Sequence, residues 1–214
     1  MKEVKLIEDA IRLTNEDGIR EMLEQFIRAN TVVRDEKLDL SKFVGKDAMR
    51  PPMTGILHEN GLKIATDGFI LVAIYSHYKS EFEGKIITPK GEIIDGTFPN
   101  WKGILPTPEN LKTVRLNSLI ANVLRKIKHA EAIAKISDKK VFVSISCDNE
   151  KMYFHSDYFS KFLTFIRTYP GANLGVRQNS YLFASNNRNL CLLMLTNMVN
   201  NIDDCDKNYV VIDL

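Results

Sequence analysis

Two glycine-containing turn dipeptides, Asn60-Gly61 and Asp67-Gly68, divide the apolar stretch from Met53 to Tyr75 into three pieces rich in Ile, Leu, Val and Ala. Asn-Gly and Asp-Gly supply the left-handed backbone that tight hairpin turns need, so the stretch predicts a three-stranded antiparallel meander. Upstream, LDL reads as a short extended piece and SKFVGKD as at most two helical turns. Pro51 and Pro52 argue against a helix at that point, since proline removes a donor and restricts the residue before it. Downstream, a loop rich in Lys, Ser and Glu leads into IITPKGEIIDGTFPNWKGILPTP, whose prolines place a boundary near residues 104–108.

The second half follows a similar plan. KTVRL predicts a strand, and Asn117 or Ser118 is placed to cap a helix whose apolar face is Leu119, Ile120, Val123, Leu124 and Ile127. VFVSIS alternates with Val141, Val143 and Ile145 on one face, and it pairs with KMYFHS across Asp148-Asn149-Glu150. Ser156 is placed to cap a helix carrying Phe159, Phe162, Leu163 and Ile166, which stops at Pro170-Gly171. NLGVRQ, SYLFAS and NLCLLML complete the unit as three short strands. Helices interspersed with antiparallel meanders give an α+β fold.

Residues 1–36 read differently, as a helical extension. Ile19, Met22, Leu23, Phe26 and Ile27 follow the i, i+3, i+4, i+7, i+8 spacing of one buried helix face. Asn15 or Asp17 is placed to cap it, with acids in the first turn where the helix dipole favours them. Residues 198–214 form a tail with acidic residues at Asp203-Asp204 and a candidate terminal strand, YVVIDL.

Several function classes lose support from the same residues. No GxGxxG, P-loop, HExxH or GxSxG motif is present, and His58, His77, His129 and His155 show no ligand spacing. No catalytic residue, metal ligand or cofactor site is expected, and Asp67 is read as a turn residue. Cys147, Cys191 and Cys205 form no CxxC or CxxH pair, which points to incidental thiols in a reducing compartment. The first residues mix acids with bases and lack a signal-peptide core, and no uncharged apolar run spans a bilayer; the sequence reads as cytoplasmic with no membrane partner. A net charge of +2 argues for nucleic acid only if the bases gather on one face.

Two stretches carry a family resemblance. Arg50-Pro51-Pro52-Met53-Thr54-Gly55-Ile56-Leu57, leading into Ala65-Thr66-Asp67-Gly68-Phe69-Ile70-Leu71, is similar to a segment of the bacterial sliding clamp, the DNA polymerase III beta subunit. There, an R-x-x-L-x-G-V strand precedes A-T-D-G-H-R-L. Phe98-Pro99-Asn100-Trp101-Lys102-Gly103-Ile104-Leu105-Pro106 resembles the F-P-D-Y-R-R-V-L-P that closes the clamp's middle domain. His155-Ser156-Asp157-Tyr158 is similar to the opening of N-x-x-Y-L-x-D-x-L. Leu192-Leu193-Met194-Leu195-Thr196 stands where the family has V-V-M-P-M-R. Phe69 and Ile70 replace the His-Arg pair, Gly103 replaces an arginine and Leu195 a proline.

The resemblance implies a truncated clamp-like domain over residues 37–106 and a second over 107–197, antiparallel sheets with packed helices behind the helical extension. It implies a groove for linear peptides of DNA polymerases or other clamp-binding proteins at Thr66, Gly68, Phe69, Leu71, Pro99, Ile104, Tyr158, Leu193, Met194 and Leu195. Such a concave apolar surface suits an inserted hydrophobic anchor. It also implies non-specific contact with duplex DNA through Arg125, Lys126, Lys128, Lys161 and Arg167, beside His129. The expected function is a DNA-replication accessory protein that tethers or competes for polymerase-type partners, with a homo-oligomeric ring and a monomer both left open. The competing expectation is a monomeric or dimeric interaction module or inhibitor that keeps the fold without encircling DNA.

Overall fold

A computed structural model describes residues 37–107, 112–113, 120–147, 150–177, 180–186, 188–195 and 209–213. The helices expected in residues 1–36, the caps Asn117 and Ser118, Leu119 and the acidic Asp203-Asp204 lie outside the described residues.

The meander forms as its turns require. β1 (Ile56–Glu59), β2 (Leu62–Thr66) and β3 (Ile70–Tyr75) pair antiparallel in sequence order. Asn60 (φ 52°) and Gly61 (φ 73°) both take the left-handed conformation of a two-residue hairpin turn. Gly68 (φ 94°) does the same at the second turn, in a region that side chains disfavour. β4 (Ile86–Ile87) and β5 (Ile93–Ile94) extend the sheet beyond β1. Gly55 makes this approach fit: a Cβ there would stand 2.6 Å from Ile86 Cγ2 and 3.0 Å from Ile94 Cδ1.

β6 (Lys112–Thr113), β9 (Asn173–Arg177), β10 (Tyr181–Ser185) and β11 (Leu190–Met194) come from the second half. They do not form a separate sheet. β11 pairs antiparallel with β3, Leu192 opposite Leu71 and Leu193 opposite Ile70, giving one nine-stranded order β5-β4-β1-β2-β3-β11-β10-β9-β6. The proline-rich stretch near residues 104–108 therefore interrupts the chain but not the sheet. A smaller sheet has the order β12-β7-β8: β7 (Lys140–Cys147) and β8 (Glu150–His155) make the expected hairpin, and β12 (Tyr209–Asp213) runs parallel to β7.

Two helices fill the space between the sheets: α1 (Ile120–Ile136) packs on β7 and β12 of the small sheet and on α2 (Ser156–Thr168), and α2 packs on β11 of the large sheet. α1 buries Val123 and Ile127, and α2 buries Phe159, Phe162, Leu163, Phe165 and Ile166. These pack with Ile70, Val72 and Ile74 of β3 and with Val143, Ile145, Met152 and Phe154 of the hairpin. The other face of β3 contributes Leu71 and Ala73 to a second core with Leu57, Ile64, Phe98, Trp101 and Leu192. A strand buried on both faces needs a continuous apolar run, which is what ILVAI provides. Each fully buried Leu, Ile or Phe contributes about 1.5–3 kcal/mol relative to exposure.

Three local expectations need correction. Pro51 and Pro52 do not exclude a helical turn: Pro51–Thr54 is a 3-10 turn with both prolines at its start, where no backbone donor is needed and φ is already set. Ser156 is not the cap of α2. His155 is, without a capping side chain, while the buried Ser156 hydroxyl donates to Glu131 Oε1 at 2.6 Å and ties α2 to α1. VFVSIS buries both faces, with Phe142 and Ser144 as enclosed as Val141, Val143 and Ile145. Phe142 lies edge-on to the His155 ring at 5.5 Å.

Candidate functional site

The β3–β11 junction sorts the expected groove residues onto two sheet faces, because side chains alternate along a strand. Leu71, Leu192 and Met194 share the face that carries Phe98, Trp101 and Leu105. Leu193 and Leu195 point the opposite way, into the helix-side core with Tyr158. Leu192 and Leu193 are both fully enclosed, one in each core, while Met194 and Leu195 at the end of the strand keep partial exposure.

The segment that follows Phe98 borders this face. Trp101 is buried, and its Nε1 donates to Glu59 Oε2 at 3.2 Å. The same oxygen pairs with Lys102 Nζ at 3.0 Å, and that ammonium lies 5.4 Å from the Trp101 ring centroid. The Gly103 amide donates to Asn100 Oδ1 at 3.2 Å. One carboxylate at the end of β1 thus anchors both Trp101 and Lys102. Pro99 and Ile104 are left exposed beside half-buried Leu105 and Met194.

The Asp67-Gly68 turn makes the other wall. Asp67 Oδ1 accepts the amides of Phe69 (3.0 Å) and Ile70 (3.1 Å). Thr66 is buried and braces the turn, its hydroxyl donating to Ile70 O at 2.9 Å and accepting from the Gly68 amide at 3.1 Å. Met194 N donates to Phe69 O at 2.8 Å, which locks the turn to β11. So fixed, Phe69 remains 54% exposed and stacks on Tyr158, ring centroids 5.4 Å apart at 27°.

Lys161 adjoins this wall. Its ammonium lies 3.8 Å from Asp67 Oδ2, 4.9 Å from the Tyr158 ring and 6.0 Å from the Phe43 ring. An ammonium held by a carboxylate and aromatic faces is already neutralised locally. Arg125, Lys126, Lys128 and His129 are exposed along α1, and Arg167 is exposed at the end of α2. Arg125 Nη2 donates to Asn122 Oδ1 at 3.0 Å. Among the described residues no group of three or more His, Cys, Asp or Glu side chains could hold a metal ion. No helix among them is long and apolar enough to cross a membrane.

Solved structures share this arrangement of sheet and helices. The DNA polymerase III subunit beta from Pseudomonas aeruginosa superimposes with a TM-score of 0.55 at 14% identity, over 73% of this chain and 61% of the other. A sliding clamp from Bartonella birtlesii bound to griselimycin gives 0.55 at 14%, over the same shares. The DNA polymerase III subunit beta from Borrelia burgdorferi, in complex with a natural product, gives 0.53 at 14%, over 81% and 69%. This is the sliding-clamp fold. No family model and no curated protein matches the sequence, and the chain spans about three fifths of the length of the first clamp it resembles.

Within the sliding-clamp fold, the apolar face of Leu71, Leu192 and Met194 and the aromatic wall of Phe69 and Tyr158 meet at the β3–β11 junction. Tyr158 is pushed up to about 12, first by burial and then by the Asp67 carboxylate. Tyr78, whose hydroxyl donates to Glu83 Oε2 at 2.6 Å and accepts the Gly61 amide, is pushed up to about 12 for the same leading reason. An unfolded tyrosine ionises near pH 10, so the stability held by these neutral phenols is intact below about pH 10. It is lost as pH rises through about 12. Urea midpoints measured between pH 9 and 12 should therefore fall, and Tyr78→Phe with Tyr158→Phe should flatten the fall. An equally steep loss in the double variant would assign it to other groups.

Proposed function

We propose that the protein is a clamp-type accessory factor of DNA replication, a binding protein and not an enzyme. It docks hydrophobic peptide segments of DNA polymerases or related DNA enzymes at the β3–β11 groove and meets duplex DNA without reading sequence. The observation that carries this reading is the apolar edge at the β3–β11 junction: Phe69 stands 54% exposed on the Tyr158 ring, and its carbonyl is bonded to the partly exposed Met194 of the adjoining strand. Thr66 and Gly68 shape the turn that presents Phe69, and Pro99 with Ile104 lines the opposite rim. Leu195 and Tyr158 both pack at the edge of the helix-side core. An apolar anchor inserted there would gain the burial that exposed Phe69 and Ile104 forgo.

A fluorescent peptide carrying a polymerase clamp-binding segment tests the groove. Met194→Glu should weaken its binding by about tenfold or more, since a carboxylate would be forced against apolar walls. Unchanged affinity would remove the groove from the proposal.

The phosphate-facing role falls to Arg125, Lys126 and Lys128 on α1, with Arg167 on α2. A specific observation favours the second reading, a clamp-fold adaptor or inhibitor that does not encircle DNA: Ile133 and Ile136 stand exposed in the same α1. Light scattering combined with retention on nicked circular DNA separates the two. A closed oligomer whose retention is lost on linearising the circle supports encirclement. A strict monomer released equally from both forms supports the adaptor.

A further inference from the structure

One edge of the small sheet is supplied by β12. It adds to β7 in parallel, Tyr209 opposite Lys140 through Asp213 opposite Ser144, whereas the other described strand pairs are antiparallel. β7 is the strand of that sheet most in need of a second neighbour. Val141, Phe142, Val143, Ser144 and Ile145 are all enclosed, and neither proline nor glycine interrupts Lys140–Cys147. An edge of that kind, left bare, is flat, apolar and open to another strand. β8, at the opposite edge, exposes Lys151 and leaves Tyr153 and His155 half-buried, the polar dressing of a strand that ends a sheet.

The strand that fills this place is both suited to it and separable from the rest of the fold. YVVID is rich in the β-branched and aromatic residues that fit a pleated surface. It packs mainly on β7 and α1. Thirteen residues, 196–208, join it to Leu195, seven of them Asn or Asp; fully extended, such a length reaches about 45 Å. An edge that accepts residues 209–213 of its own chain accepts the same residues of another copy, because register and chemistry are identical. We propose that β12 is an exchangeable arm: two copies trade these strands, each laying residues 209–213 on the other's β7 in the register seen within one chain. The tether sets the balance. It holds the arm at an effective concentration on the order of millimolar, so exchange gains as protein concentration nears that range. None of the groove residues takes part, so strand exchange stands or falls apart from peptide docking.

Disulfide trapping on full-length chains tests this. Opposed residues of neighbouring strands stand about 4.8 Å apart, within reach of a disulfide. A chain carrying Ser144→Cys is mixed with one carrying Asp213→Cys, oxidised, and mapped by mass spectrometry. The expected product is a covalent dimer joined between positions 144 and 213. Its yield should rise about tenfold or more between roughly 0.02 and 1 mM protein. Adding Val210→Pro with Val211→Pro to the second chain should cut that yield by about tenfold or more, since adjacent prolines remove whichever amide faces β7. The double variant Ser144→Cys with Asp213→Cys, kept dilute, should close the same link within one chain. Three results overturn the proposal: a link in the dilute double variant but none in the mixture at any concentration, no link in either, or a mixed link indifferent to the prolines. Copies that associate by another surface give no link between 144 and 213, so a ring and a strand exchange are read separately.

Discussion

Replacing Phe159 with alanine is expected to destabilise the protein by about 3–5 kcal/mol, a loss comparable to the whole stability of many domains. Phe159 is fully buried on α2, with Phe154 of the hairpin and Phe162 of its own helix at ring-centroid distances of 6.0 and 6.4 Å. It sits in the core where three elements meet: the large sheet, the β7–β8 hairpin and the helix that carries Tyr158 and Lys161. Deleting the ring removes its transfer free energy and leaves a cavity in a layer that cannot collapse from both sides. Phe159→Leu, which keeps most of the volume, should cost less than about 1.5 kcal/mol. Denaturant midpoints at constant m-value report both. A loss below about 1 kcal/mol for the alanine variant would show that α2 is not held by this core.

Asp67→Ala is expected to cost about 2–3 kcal/mol, although the residue sits in a turn at the surface. Its carboxylate accepts two backbone amides and faces the Lys161 ammonium, so its removal orphans the part-buried Ile70 donor and releases a cation among aromatic rings. The local consequence is larger than the global one. Phe69 loses the bond that orients it on Tyr158, and the aromatic wall of the groove loosens. Tyr158 should then ionise at a lower pH than about 12, since the negative charge that opposes its ionisation is gone. Absorbance titration near 295 nm reads that shift directly. An unmoved Tyr158 with a destabilised fold would show that burial alone sets it.

The hairpins were legible because their turns are chemically specific. Asn60-Gly61 and Asp67-Gly68 demand left-handed backbone, and three strands follow from two such turns. The helices were legible for a similar reason, since Phe159, Phe162, Leu163 and Ile166 repeat at the helical period. The β3–β11 pairing was not, because nothing local marks which of many strand edges will meet. Nor was the facing of β11: LCLLM is apolar on both sides, so no polar residue signals which of the two cores each leucine enters. Lys161 shows the same limit for charge. On its own helix it is one more surface base, and only the tertiary fold brings it to a carboxylate 94 positions earlier in the chain.

That long-range junction also bears on how the chain reaches its fold. β3 is flanked by β2, made just before it, and by β11, whose Cys191 faces Val72 across more than half the length of the chain. The Tyr75 amide likewise waits for Asn189 Oδ1, 114 residues later. During synthesis at about 5–20 residues per second, the apolar β3 edge stays unpaired for several seconds or more after it leaves the ribosome. A sheet closed by so distant a partner belongs with slow-folding, high-contact-order topologies, on the millisecond-to-second scale once the chain is complete. The strand at the centre of the sheet is thus the one left open longest, and it is where a nascent-chain chaperone would have most to protect.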